Sequence, residues 1–332
     1  MPHIIRSGIA ENLAAAAASA PPSRQRHDQG RGVGRTMMDD WDIATGVGVT
    51  ALGAASARAI ETHRPDAMID DPYAEEFVRA ARLPQPMPTT PEELAAMSPP
   101  GSWMPGWRYM GVRTRFFDDY LATALDAGLR QTVILAAGLD TRAFRLGWHE
   151  GSAVFEVDQP RVLSFKLSVL RRRQATPACR HRVVPVDLRE EWAGPLRTAG
   201  FEPVAATAWL IEGLLPYLDA DAERRLLTTV DALSAPGSQV AIEDARRIGQ
   251  ALSDDEYAAS RERYGVDLRD LVHEDDPRVR DAAAMLGRLG WKVSTETITA
   301  AAERYGHPLD PALSVTTEAS RFLVGERTAA AA

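Results

Sequence analysis

The sequence predicts an α/β protein: an open, Rossmann-like, mostly parallel sheet with helices on both faces, preceded by a helical cap. Three observations lead there. Short apolar runs of strand length (residues 133–137, 153–157, 181–186, 205–211 and 238–242) alternate with segments of helical spacing. The first run stops at Gly138, a residue suited to a tight turn. An acid then closes each later run: Asp158, Asp187, Glu212 and the Glu243-Asp244 pair. In an open parallel sheet the carboxyl ends of the strands surround the ligand crevice, so these acids mark one rim.

The elements follow in order. Residues 1–38, rich in Ala, Pro, Gly, Ser and Arg, are expected to be a disordered tail, with Met37 or Met38 as the native start. Residues 39–130 form a helical cap and lid. Within them 41–64 repeat small and apolar residues at helical spacing, and Asp71-Pro72 opens a helix with Tyr73, Phe77 and Val78 inward. Residues 82–105 carry seven prolines among 24 positions and read as a mobile cover. Residues 106–129 return to helical spacing and feed the first strand. The core, 131–326, continues with helices over 141–146 and 161–174 and another from an Asp219 or Asp221 cap to Leu233. Helices at 251–272 and 277–289 follow, then strands at 291–298 and 313–324 as an antiparallel pair at the sheet edge. Residues 327–332 are a frayed end.

The stretch from Thr132 to Pro160 carries the chemistry. Asp158 lies 20 residues after Gly138, where an acid that binds ribose hydroxyls belongs in a dinucleotide or an S-adenosylmethionine site. Asp140 separates the two. It sits in the turn that would hold the two phosphates of a dinucleotide, and at about 4 Å and an effective dielectric of about 20 each charge pair would cost about 4 kcal/mol. The turn also has Ala136 and Thr141 where a dinucleotide fingerprint has glycines. S-adenosylmethionine brings a sulfonium and an ammonium, which an acid attracts. Arg113 offers a guanidinium fork for a methionine carboxylate. Asp187 stands where an adenine amino group can be bonded.

Composition narrows the class. With 38 basic and 46 acidic residues the net charge is −8, which excludes a global basic field for nucleic acid. Apolar residues at 45% and charged ones at 25% are ordinary for a globular chain. The single cysteine, Cys179, excludes an intrachain disulfide and a cysteine-based metal site, and fits a reducing, cytoplasmic setting. No apolar run reaches the roughly 18–20 residues of a membrane span.

The motifs AAGLDTRAFRL, FEVDQPRVLSFK, VPVDLREEW and WLIEGLLPYL, with DPYAEEFV and VRTRFFDDY before them, together resemble the leucine carboxyl methyltransferase-like family, in particular its actinobacterial branch. The resemblance spans roughly 41–324. It implies a seven-stranded class I methyltransferase sheet that binds S-adenosylmethionine. It also implies that Arg113 holds the cofactor carboxylate, Gly138 lies against it, Asp158 takes the ribose and Asp187 with Leu188 takes the adenine. Glu212 lies at the methionine end near the transferred methyl, and Arg58 matches a basic cofactor-binding position. Where this chain has Ala136, the family's turn usually begins with glycine.

Methyl transfer from a sulfonium is an in-line displacement in which positioning does much of the work. Glu212 and Tyr217 are the candidate catalytic pair, with Tyr217 orienting an acceptor. No histidine lies in a motif at a strand end, so no base is evident. That favours an acceptor already ionised, a carboxylate on a small molecule, over a hydroxyl on a polyketide-like metabolite. Two rivals stand beside this reading: a protein that holds S-adenosylmethionine without turnover, and a dinucleotide-dependent oxidoreductase.

Overall fold

The computed structural model describes residues 43, 47–83, 86–97, 104–245, 280–309 and 320–328. The expected tail at 1–38, the helix at 251–272 and most of the expected strand at 313–324 lie outside these residues.

Seven strands form one sheet: β1 (Gln131–Leu135), β2 (Ala153–Asp158), β3 (Arg180–Pro185), β4 (Thr207–Ile211), β5 (Gln239–Asp244), β6 (Trp291–Thr297) and β7 (Arg321–Arg327). Their order is β3-β2-β1-β4-β5-β7-β6. The first five are parallel, and β7 runs antiparallel between β5 and β6. The sequence places this last strand too early. It continues through Arg327, which pairs with Trp291 and accepts from Gly237 N through its carbonyl, so the frayed end begins later than 327.

β1 and β4 are wholly buried, as strands covered on both faces must be. On one face Val133, Leu135, Phe155, Trp209 and Ile211 pack against three helices, α7 (Ala193–Thr198), α8 (Ala220–Ala232) and α9 (Ala282–Arg288). On the other face Ile134, Val154, Ala208 and Leu210 meet α4 (Met104–Asp126), α5 (Arg142–Arg145) and α10 (Ile298–Arg304). Each large apolar side chain so buried contributes about 1.5–3 kcal/mol. A third cluster joins α1 (Val47–Thr62), α2 (Ala74–Ala80) and α6 (Pro160–Arg172) through Leu52, Phe77, Leu139 and Val169.

The caps follow the sequence where its signals are local. Asp219 accepts from Ala222 N at the start of α8, and Pro160 opens α6. The proline-rich stretch differs from its reading as a loop. Its described part contains a helix, α3 (Pro91–Met97), with Pro91 at the first turn, and Ser56 of α1 donates to Pro88 O at 2.5 Å. Met87 and Leu94 are buried there. Dense proline hid a helix that begins with one.

The strand order places the ligand crevice. β1 has β2 on one side and β4 on the other, with crossovers leaving on opposite faces, so the chain parts above the carboxyl ends of β1 and β4.

Candidate functional site

The turn after β1 is built from two left-handed residues. Ala136 has φ 54° and Gly138 φ 46°. The sequence reads the strand as running through Ala137; it stops at Leu135, and Ala136 already bends away at a cost of about 1–2 kcal/mol for a residue with a Cβ. A Cβ on Gly138 would lie 3.9 Å from Ala136 O and from the Ala51 side chain of α1, in ordinary van der Waals contact with both.

Asp158, at the end of β2, accepts from Gly138 N and Gln159 N, both at 2.6 Å. The 20-residue separation is therefore a direct contact. Burial raises the Asp158 carboxyl, and these two N–H donors oppose it. A carboxylate offers about four lone-pair directions, so acceptor capacity remains for two hydroxyls. Asp187 follows β3 and is clasped by Arg189, whose hydrogen bonds lower its carboxyl. Gln159 Nε2 reaches Asp187 at 3.3 Å, linking the two strand ends, while Leu188 packs against the core beside them.

The β4 side is a lattice of charges. Arg142, only 2% exposed, donates from Nε to Asp118 Oδ1 at 2.7 Å and from Nη1 to Glu212 Oε2 at 2.7 Å and to Asp140. Arg145 bonds both oxygens of Asp118. Arg113 Nε lies 2.8 Å from Glu212 Oε1, and its Nη1 reaches Glu243 at 3.2 Å. The first contact is off-axis, so the Nε proton has no hydrogen-bond partner. Glu243 also accepts from Tyr109 and from Gly213 N, the latter at 2.7 Å. Four carboxylates thus face three guanidiniums, leaving one negative charge in excess in this lattice.

Asp140 has a partner inside the fold. Burial favours its protonated form, but Arg142 and then Lys166 outweigh burial and hold the carboxyl at about 2. Its charge is balanced by Arg142 inside the fold and does not meet a ligand alone. The excess charge belongs to the lattice, so repulsion of phosphates is a property of Glu212 and Glu243 as much as of the turn. Arg58 donates to Asp71 and to Leu139 O, both at 2.8 Å, and so braces the turn from α1.

Glu212 is also buried, which raises its carboxyl, yet Arg142 and Arg113 bring it below the ordinary value. It is a fixed anion, ill suited to taking a proton. Burial raises the Tyr217 hydroxyl, which bonds the Thr50 side chain of α1. That bond and the approach of Ala51 to Gly138 put the amino end of α1 across the crevice as a roof.

The structure brings Arg113, Asp140 and Glu212 into one lattice and Gly138 with Asp158 into one contact. Sequence reasoning missed Arg142, Asp118, Tyr109 and Arg145. The acid at the end of β5 was visible, but not that Glu243 turns back to Arg113.

The leucine carboxyl methyltransferase family model matches residues 51–231. A protein of Saccharopolyspora erythraea, named "Putative S-adenosyl-L-methionine-dependent methyltransferase", is 46% identical over 82% of this chain and 92% of its own length. One of the same name from Mycolicibacterium paratuberculosis is 44% identical over 84% and 90%. A solved structure from Thermobifida fusca, named "a putative methyltransferase", shares the fold at TM-score 0.50 and 17% identity, covering 83% of this chain and 94% of that one. S-adenosylmethionine is therefore the cofactor, and the unfilled acceptor capacity of Asp158 fits it. With its sheet order, its crevice and its relatives in agreement, the chain belongs to the leucine carboxyl methyltransferase family of S-adenosylmethionine-dependent methyltransferases.

Proposed function

We propose that the protein methylates an oxygen of a small molecule, with a carboxylate as the acceptor group. One observation carries this reading: on the β4–β5 side of the crevice the acids Asp140, Glu212 and Glu243 are each tied to a guanidinium. Asp140 and Glu212 are held ionised by guanidiniums, and Tyr109 and Tyr217 are pushed up by burial. A hydroxyl acceptor needs a base in the transition state, whereas a carboxylate is already a nucleophile at pH 7. The family's name points to the same group.

When bound, the cofactor supplies an electrophilic methyl on a sulfonium. In this reading Asp158 takes the ribose hydroxyls, Asp187 and Leu188 flank the adenine, Arg113 receives the methionine carboxylate and Glu212 the amino group. Ala136 and Gly138 let the turn approach the cofactor, and Asp140 keeps that turn tied to Arg142. Tyr217, under the roof at Thr50, stands on the acceptor side as an orienting hydroxyl and not as a base. The α1 roof keeps water from the reacting atoms.

The test is methyl transfer from isotopically labelled S-adenosylmethionine to a panel of carboxylic acids and phenols. Label recovered as methanol after mild alkali marks a methyl ester and supports the proposal. Label that survives as an ether on the phenols alone overturns it.

A further inference from the structure

We propose that Arg142 is a positioning residue for the cofactor's amino end, gripping one oxygen of Glu212 so that the other lone pairs of that carboxylate stay turned into the crevice. The inference rests on the placement of Glu212 at that end given above.

The geometry is specific to an arginine. Its fork reaches four acceptors at once: Asp118 Oδ1 at 2.7 Å, Glu212 Oε2 at 2.7 Å, Asp140, and Thr114 O at 3.4 Å. All four lie on α4, in the turn after β1 or at the end of β4, so one buried cation sets the relative position of the two crevice walls. A lysine presents a point charge and cannot hold such a planar set. Glu212 is faced by Arg113 from α4, by Arg142 and Asp140 from the turn and α5, and by Arg58 from α1; Glu243 of β5 acts on it through their shared partner Arg113. Arg142 has every hydrogen-bonding nitrogen engaged within the protein, which marks it as support and not as a ligand group.

The experiment combines two readouts on the full chain. Carbon-detected NMR follows the Glu212 carboxyl without ligand in wild type, Arg142→Met and Arg142→Lys. Calorimetry follows S-adenosylhomocysteine binding from about pH 5 to about pH 8, a window that brackets a carboxyl freed from its cation. We expect Arg142→Met to raise the Glu212 midpoint by about one unit or more, because a lost cation favours the neutral acid. Affinity should then fall about threefold more at the acid end than at the alkaline end. Arg142→Lys should restore part of both effects. If Arg142→Met does not fold, Arg142→Lys alone must show the smaller shift, and adding it to Glu212→Gln must cost no further affinity. An unmoved Glu212 midpoint, or an affinity loss equal at all pH values, overturns the proposal, since a purely structural role predicts the latter. A moved midpoint in a wild-type-like binder of S-adenosylhomocysteine whose affinity ignores Glu212→Gln would instead overturn the placement of Glu212, and the proposal with it.

Discussion

The two rims of the crevice hold their acids by different means. On the β4–β5 side Glu212 and Glu243 sit among guanidiniums, and the ion pairs join α4, the turn after β1 and both strand ends. On the β2–β3 side Asp158 bonds backbone N–H groups, and Asp187 pairs with an arginine two residues along that stands largely in solvent. The first rim is fixed by long-range charge and the second by local backbone geometry. A ligand that is ionic at one end and a hydroxyl-rich nucleoside at the other matches this division. In the proposed placement the ionic end would meet preset charges, and the nucleoside would meet acceptors that the fold leaves partly open.

Breaking the ionic rim should have the largest effect. Arg142→Met leaves Asp118, Asp140 and Glu212 with one fewer cation in a buried place, and loss of one partner of such a set costs about 3–5 kcal/mol in stability. Denaturant unfolding measures it, and a loss under about 1 kcal/mol would show the lattice to be no more than a surface pair. Next in size is Arg113→Ala, which should weaken S-adenosylmethionine binding by about 2–3 kcal/mol through the charge-assisted bonds it would make. An affinity equal to wild type would remove that role.

On the local rim Asp158→Ala should cost about 1.5–3 kcal/mol of cofactor affinity, again read by calorimetry. Because Asp158 also ties Gly138 N, the variant should speed hydrogen exchange at that amide; unchanged exchange would separate the ribose role from the turn.

How much of this could be read from the chain depended on sequence distance. Gly138 and Asp158 are joined by one strand–turn–strand unit, so periodicity and a count of residues found them, as they found the sheet. Arg142 meets Asp118 from 24 residues away, and Tyr109 meets Glu243 from 134. Nothing local tells a buried arginine from a solvated one, and so Asp140 was read as a bare charge when its partner lay two residues on. The left-handed backbone at Ala136 was hidden for a related reason: an alanine after an apolar run looks like more strand.

The smaller effects sharpen the contrast. Asp140 has its carboxyl depressed from 3.8 to about 2, so its contribution to stability is fully present above the unfolded value and is lost as pH falls from 3.8 through about 2. Acid unfolding of Asp140→Asn should lose that part of the slope, and an unchanged slope in that window would deny the ion pair. Ala136→Gly removes the left-handed strain on the turn and should stabilise the fold by about 0.5–1 kcal/mol, with a measurable rise in Tm; a fall in Tm would mean that the alanine methyl packs better than its backbone suffers.

A crystal structure of the chain with S-adenosylhomocysteine tests the division of labour most directly. The account predicts both ribose hydroxyls on Asp158, the carboxylate on Arg113, and the amino group on a Glu212 that still touches Arg142. A nucleoside lying against Glu212, with the amino acid end beside Asp158, would contradict it.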